Sequence, residues 1–501
     1  MRSDDLAFSW RSAPKVVAYR ARWAFAAGCL TGLLGLPSPL AWLSLVPLAA
    51  MLYCVAREPT AKSAARVGFF AWFGFWSVHL FWLPQSFSSH FGWFVWLFMP
   101  LLWVIEAALN ALTVWAAYRL TKTKLGTLWV TAMLTLLLEY VRANMSALSF
   151  PWGFFGYTLL DTPLAQLASL GGVYLLSFIA LGLAASLAAA ALLEYRWALA
   201  SAGVLTLGLV FGLTRPAAVT PTRDALLVQG NIDPFGRLAR PSGKSDLEIF
   251  TDLSRVQNPN TLIVYPEASL GLQQIAKVEG SSNVPKLGRL IAGAADYRQG
   301  SRLNTVAAIK NGVLLGTSTK AHLVPFGEFY IFRNELGFLY DFIFRMMGLG
   351  SIGSMELKYE TRTLELDGEK FGTYVCYDSV FPDVARERVL GGAQVLVNVS
   401  NDGWFGRTWG IEQHFIMGRT RAIETGRYIL RTGNTGITAV IDPYGRVLQR
   451  APIGQSLALQ AKYGLENSQT LYVRFGDWAV FLAVFAAIAG VLAARTPSDT
   501  W

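Results

Sequence analysis

The chain has 501 residues, of which 53% are hydrophobic and only 15% charged, with a formal net charge of +10. Soluble domains carry about 25% charged residues, so this balance excludes an all-soluble protein and points to a membrane. The basic residues cluster around the apolar runs, where orientation in a bilayer accounts for them and nucleic acid is not needed as a partner.

The apolar runs fall in residues 1–214 and 477–495, while 215–476 has ordinary globular composition. A helix needs about 20 apolar residues to cross the hydrocarbon core. The runs predict membrane-spanning helices near 22–37, 40–56, 66–83, 92–118, 125–141, 163–193, 196–214 and 477–495. More spans follow the first, and no small-residue cleavage site precedes a soluble domain, so a cleavable signal is not expected. Lys and Arg in short loops set orientation. The N-terminal tail, the loop after span two (Arg57, Lys62, Arg66) and the loop after span four (Arg119, Lys122, Lys124) are basic. The intervening loops "LPSP" and "PQSFSSHFG" carry no charge, and the next has only Arg142 among its basic residues. Both termini are therefore expected in the cytoplasm. Spans one to seven occupy 1–214, the polar domain 215–476 lies outside, and 477–501 is the last span with its tail. The spans read as lacking the buried charge pairs usual in coupled transporters.

Within 215–476 the pattern is strand-rich with helical insertions. "DALLVQGNI", "NTLIVYPEAS", "KFGTYVCYD" and "AQVLVNVSND" are apolar runs that end in polar turns. "RLNTVAAIKNGVLLGTSTK" reads as a hairpin about Asn311-Gly312. "EQHFIMGRTRAIETG" has helical spacing. Polar residues recurring at strand ends predict an α/β sandwich with its site on one rim. At roughly 260 residues the domain is long enough for its own core, and Cys29, Cys54 and Cys376 form no disulfide framework.

Cys376 stands alone in the C-terminal half, at the end of a strand-like run. It is either a small buried hydrophobe or a nucleophile presented at a sheet edge. Glu267 in "VYPEAS", Lys320 in "STKAHLVPFGEF" and Asn401-Asp402 in "NVSNDGWFG" end neighbouring runs. A carboxylate can take the thiol proton and a lysine can steady the oxyanion formed when sulfur adds to a carbonyl. These three residues suffice for acyl transfer through a thioester. His322 and His414 read as structural and make no metal site; Asn401 and Asp402 read as turn residues shaping the rim, and Trp404 as a packing or lipid-contacting residue. No metal or organic cofactor is required.

Glu267, Lys320 and Cys376, in this order, resemble the nitrilase (carbon–nitrogen hydrolase) superfamily with its αββα sandwich. "KAHLVPFGE", "FPWGFFGYT", "SLGGVYLLSF", "VQGNI", "SNDGWFG" and "RTGNTGITAVIDPYGRV", with the eight-span layout, narrow the resemblance to the apolipoprotein N-acyltransferase family over nearly the whole chain. The resemblance implies Glu267 as general base, Cys376 as nucleophile and Lys320 as stabiliser of the tetrahedral intermediate. It implies Glu328 as a second glutamate near the site, and Tyr377 as the residue whose backbone N–H helps hold the oxyanion. Asp378 stands where the best-known members have glutamate. Some members carry a functional tryptophan beyond "QGNI"; here Leu238 is nearest that place, with Phe235 close by. The implied partners are a phosphatidylethanolamine-like donor, a diacylglyceryl apolipoprotein acceptor and the bilayer, with the enzyme a monomer in the bacterial inner membrane. A membrane-tethered amidase acting on a small amide and a non-catalytic lipid-binding or transport protein are the rival readings.

Overall fold

The computed structural model describes residues 13–121, 123–215, 220–232, 243–256, 258–272, 287–298, 301–346, 355 and 363–495. Up to Leu213 the described chain is helical: α1 (Ala13–Leu34), α2 (Leu45–Ala56), α3 (Ala61–His79), α4 (Trp82–Phe91), α5 (Val95–Thr121), α6 (Lys124–Ala143), α7 (Ala168–Ala190) and α8 (Tyr195–Leu213). Thr60 and Thr123 start α3 and α6 by accepting from the N–H groups of Ser63 and Gly126. α1 and α3 touch backbone to backbone, because a Cβ on Gly28 would lie 1.9 Å from the Ala71 carbonyl oxygen and one on Gly74 2.5 Å from that of Phe25. Among the described residues, four helices are long and apolar enough to cross a membrane, or five if α3 and α4, bent by 50°, form one span; Ala41–Ala56 and Trp478–Ala493 are shorter apolar helices.

Three features depart from the sequence reading. The stretch "PQSFSSHFG", expected as a loop, lies largely in α4; its Ser86 hydroxyl donates to the Trp404 carbonyl of the sheet half. The run expected as one span over 163–193 breaks at Gly171 and Gly172, the latter at φ +69°. At that break Glu424 accepts a 2.8 Å hydrogen bond from the Val173 N–H. Third, the helices do hold buried charge. Arg142 pairs with Glu106 at 3.3 Å, and its guanidinium lies 4.7 Å from the Trp76 ring centroid. Glu139 accepts from the Phe155 N–H at 2.9 Å, while the Arg142 carbonyl accepts from the Phe150 N–H at 2.8 Å. These groups fix the loop joining α6 to α7 against the bundle.

Residues 223–463 build two six-stranded sheets. One runs β12 (Leu457–Tyr463), β1 (Arg223–Gln229), β2 (Leu262–Gly271), β3 (Arg289–Arg298), β4 (Ser301–Lys310), β5 (Val313–Thr319). The other runs β11 (Val447–Arg450), β10 (Ala439–Ile441), β9 (Ile429–Gly433), β8 (Val395–Ser400), β7 (Glu369–Val375), β6 (Leu364–Leu366). The central pairs β1–β2, β2–β3, β7–β8 and β8–β9 are parallel, so both faces need cover. Leu227, Val264, Ile291 and Val306 meet Phe371, Val375, Val397 and Leu430 between the sheets. The first sheet's outer face takes α9 (Asp246–Leu253) through Phe250. The second takes α11 (Pro382–Leu390) and α12 (Gly410–Thr425), which share one continuous apolar cluster with the helical half. The chain closes with α13 (Leu471–Phe475) and α14 (Trp478–Ala493), while α10 (Arg333–Met346) follows the Lys320 segment.

Two local expectations are met. β4 and β5 form a hairpin whose turn residues Asn311 and Gly312 sit at φ +51° and +85°, the geometry an Asn-Gly turn serves. The "EQHFIMGRTRAIETG" stretch is α12, and Gly426 ends it in the left-handed conformation at φ +65°.

Candidate active site

β2, β5, β7 and β8 each reach the same rim and deliver one polar residue there. Glu267 sits where β2 slips register against β3, between Tyr265 and Leu270; such a bulge re-aims a side chain. Lys320 follows β5, and its N–H bonds the Asn304 carbonyl at 2.9 Å. Cys376 follows β7 and Asn401 follows β8. The Lys320 ammonium lies 3.7 Å from Glu267 Oε1 and 2.8 Å from Glu328 Oε1. The Cys376 thiol lies close enough to feel the charges of both Glu267 and Lys320. Asn304 Nδ2 donates to Glu267 Oε1 at 2.7 Å and to Glu328 Oε1 at 3.2 Å, and the Asn401 N–H donates to Glu267 Oε2 at 2.8 Å. Glu267, Lys320, Cys376 and Glu328 thus meet in one buried constellation, with Lys320 only 3% and Cys376 only 8% exposed.

Burial sets the electrostatics. It pushes the Cys376 thiol far up, and the Glu267 carboxylate adds to that while Lys320 opposes it. It also raises Glu267, against the pull of the Lys320 ammonium. Burial drags Lys320 down, but the Glu328 and Glu267 carboxylates outweigh it and hold the ammonium charged. The resting pair is therefore a neutral thiol beside a carboxylate that can accept its proton.

Cys376 occupies the left-handed region at φ +47°, a conformation that costs a non-glycine residue about 1–3 kcal/mol and persists only where its surroundings hold it. Asp378 supplies part of that hold. Fully buried, its carboxylate accepts from the N–H groups of Val375 at 3.0 Å, Ala321 at 3.2 Å and His322 at 2.8 Å. It ties the Cys376 turn to the Lys320 segment, so its work is done through the backbone. Asp378→Ala strands three buried donors; at about 1–3 kcal/mol each before water enters, we expect a loss of roughly 3 kcal/mol, read as a fall in the thermal unfolding midpoint in detergent.

The remaining predicted residues fall around this centre. Glu328 also accepts from the Val324 N–H at 2.9 Å, which fastens its own loop to the site. The Tyr377 ring stacks on Trp152 at 6.1 Å, and its hydroxyl donates to the Ser149 carbonyl at 2.9 Å. The loop between α6 and α7 thereby reaches the residue next to Cys376. Trp404 lies in the turn after β8, its ring 6.2 Å from that of Phe91 in α4. Leu238 and Phe235 lie outside the described residues. Asn304 was missed; the signal was a polar residue in the apolar alternation of β4. Asp402, expected only as a turn residue, is buried between Arg431 at 3.0 Å and His414 at 3.0 Å. Those partners hold it ionised against its burial. Ligand atoms of Cys376, Asp402 and His414 lie within 4.8 Å of one another, but Arg431 already bonds both Asp402 oxygens, which neutralises the charge a cation would seek.

Comparisons with known proteins bear on this arrangement. Residues 286–463 match the carbon-nitrogen hydrolase family model, so the two-sheet half is a nitrilase-type domain. Residues 27–186 match the model of the apolipoprotein N-acyltransferase N-terminal domain. The apolipoprotein N-acyltransferase of Pseudomonas putida is 32% identical over 496 residues, covering 93% of this chain and 94% of its own. That of Pseudomonas aeruginosa is 31% identical over 506 residues, covering 94% of each. Among solved structures, a carbon-nitrogen hydrolase from Helicobacter pylori aligns at 18% identity and TM-score 0.37, over 51% of this chain and 94% of that one. The chain belongs to the apolipoprotein N-acyltransferase family.

Proposed function

We propose that the chain N-acylates lipoproteins by a two-step exchange through Cys376. Glu267 takes the thiol proton as sulfur attacks an ester carbonyl of a membrane phospholipid. Lys320 and the backbone N–H of Tyr377 hold the oxyanion. The C–O bond breaks, Glu267 returns the proton to the departing lysophospholipid, and an acyl thioester remains. The free α-amine of a diacylglyceryl cysteine then attacks that thioester. Glu267 assists removal of the amine proton, the C–S bond breaks, and Cys376 regains its proton as the amide forms. The donor is phosphatidylethanolamine-like, and the enzyme works as a monomer.

The observation that carries this reading is the meeting of Glu267, Lys320 and Cys376 in one largely buried group, whose next residue, Tyr377, packs on the helical half. That placement suits the substrates. Drawing an acyl chain into water costs about 0.8 kcal/mol per CH₂, whereas a site docked on membrane helices leaves the tails in lipid. Shielding the thioester from water also disfavours hydrolysis. A small-amide hydrolase shares the three residues but gives the helices nothing to do, and a transport protein has no use for a buried thiol beside a base.

The same reading places eight spans in the bacterial inner membrane. Residues 1–214 and 477–501 form the membrane part, both termini face the cytoplasm, and 215–476 lies on the periplasmic side. The basic loops support this orientation.

Intact mass spectrometry tests the chemistry. Protein incubated with phospholipid is expected to gain one fatty-acyl mass on Cys376 and to lose it to an added diacylglyceryl peptide. Cys376→Ala is expected to show no adduct. An adduct that persists in that variant sinks the mechanism.

A further inference from the structure

The turn after β8 touches the base and the nucleophile at once. Asn401 binds Glu267 through its N–H at 2.8 Å. The next residue, Asp402, accepts from the Ser400 hydroxyl at 2.7 Å and from Arg431 Nη2 at 3.0 Å. The ring of His414, from α12, lies against this group, with Nδ1 3.0 Å from Asp402 and 3.1 Å from Arg431. Its other nitrogen, Nε2, lies 3.2 Å from the Cys376 carbonyl oxygen and 3.1 Å from the Ser379 hydroxyl. Phe405 stacks on the ring at 5.1 Å, and Asp402 and His414 are both buried. Arg431 Nη2 is placed to donate to Nδ1; in the tautomer that uses this donor the proton sits on Nε2 and is given to the Cys376 carbonyl, which only accepts.

The peptide linking Cys376 to Tyr377 is planar and trans, so its C=O and N–H point in opposite directions. Whatever aims the Cys376 carbonyl also aims the Tyr377 N–H. That peptide follows a residue held at φ +47°, which the chain does not adopt unaided. We infer that His414, oriented by Asp402 and Arg431, is a positioning residue that turns the Tyr377 N–H toward the oxyanion, while the same turn aligns Glu267 through Asn401. The inference rests on the proposed role of Cys376. It adds a device that neither the "SNDGWFG" motif nor α12 reveals alone.

The test is single-turnover thioester formation with the full-length protein and phosphatidylethanolamine vesicles. His414→Phe keeps the stacking ring and removes the donor. Loss of one oxyanion donor costs about 10²–10³ in rate, so a misaimed one is expected to slow acylation about 10²-fold with the half-saturating donor concentration unchanged. His414→Gln, whose amide can donate to the Cys376 carbonyl, is expected to recover most of that loss. Acylation of His414→Phe within threefold of wild type, a defect confined to donor affinity, or a folded His414→Gln no faster than His414→Phe would each overturn the inference. Should His414→Phe not fold, Asp402→Asn takes its place, with a slowed rate expected and a wild-type rate fatal. Absence of a Cys376 adduct in the wild type would instead defeat the mechanism on which the inference rests.

Discussion

Glu267→Gln is expected to slow thioester formation by 10³-fold or more while the protein stays folded. A positioned general base supplies about 10²–10⁴ in rate, and glutamine cannot accept the thiol proton. The substitution also disturbs the setting. Glu267 Oε1 accepts from Asn304, and Oε2 accepts from the Asn401 N–H; a side-chain NH₂ in either place faces a donor. The pH dependence has a definite sign. Burial raises Glu267 above the ordinary carboxylate range, and only its ionised form takes the proton. Acylation should therefore fall as pH drops through that raised value, with an acid limb above where a solvated glutamate would put it. Burst measurements on wild type and variant across pH check both statements. A variant acylating within tenfold of wild type would remove Glu267 from its role.

What the chain reveals before folding is uneven, and the reason is distance along it. Glu267, Lys320 and Cys376 were legible because each ends an apolar run, and runs that end in polar residues mark a sheet rim. The Asn311-Gly312 hairpin and α12 were legible because turn chemistry and helical period are local. His414 read as structural because its partners, Asp402 and Arg431, come from a different turn and a different strand. The break at Gly171 and Gly172 hid inside an apolar run, since its cap is Glu424, 251 residues away. Arg142 passed for a loop charge because Glu106 meets it only when α5 packs on α6. α4 hid because its polar residues suggest a loop until Ser86 finds the Trp404 carbonyl. In each case tertiary closure, not composition, supplies the partner.

Lys320→Met is expected to cost both stability and rate, and the two losses can be separated. The ammonium lies 2.8 Å from Glu328 and 3.7 Å from Glu267, almost wholly removed from solvent. Taking it away leaves two carboxylates buried together without a counter-charge, and removing one partner of a buried pair costs about 3–5 kcal/mol. If Lys320 holds the oxyanion as proposed, its loss should slow acylation by about 10²–10³-fold. Adding Glu328→Gln removes one of the two uncompensated charges, so the unfolding midpoint should recover much of its fall. The rate should not recover, because no amide supplies the positive charge the tetrahedral intermediate needs. A double variant that regains acylation along with stability would mean that Lys320 serves only to neutralise Glu328, and the oxyanion would then rest on the Tyr377 N–H alone.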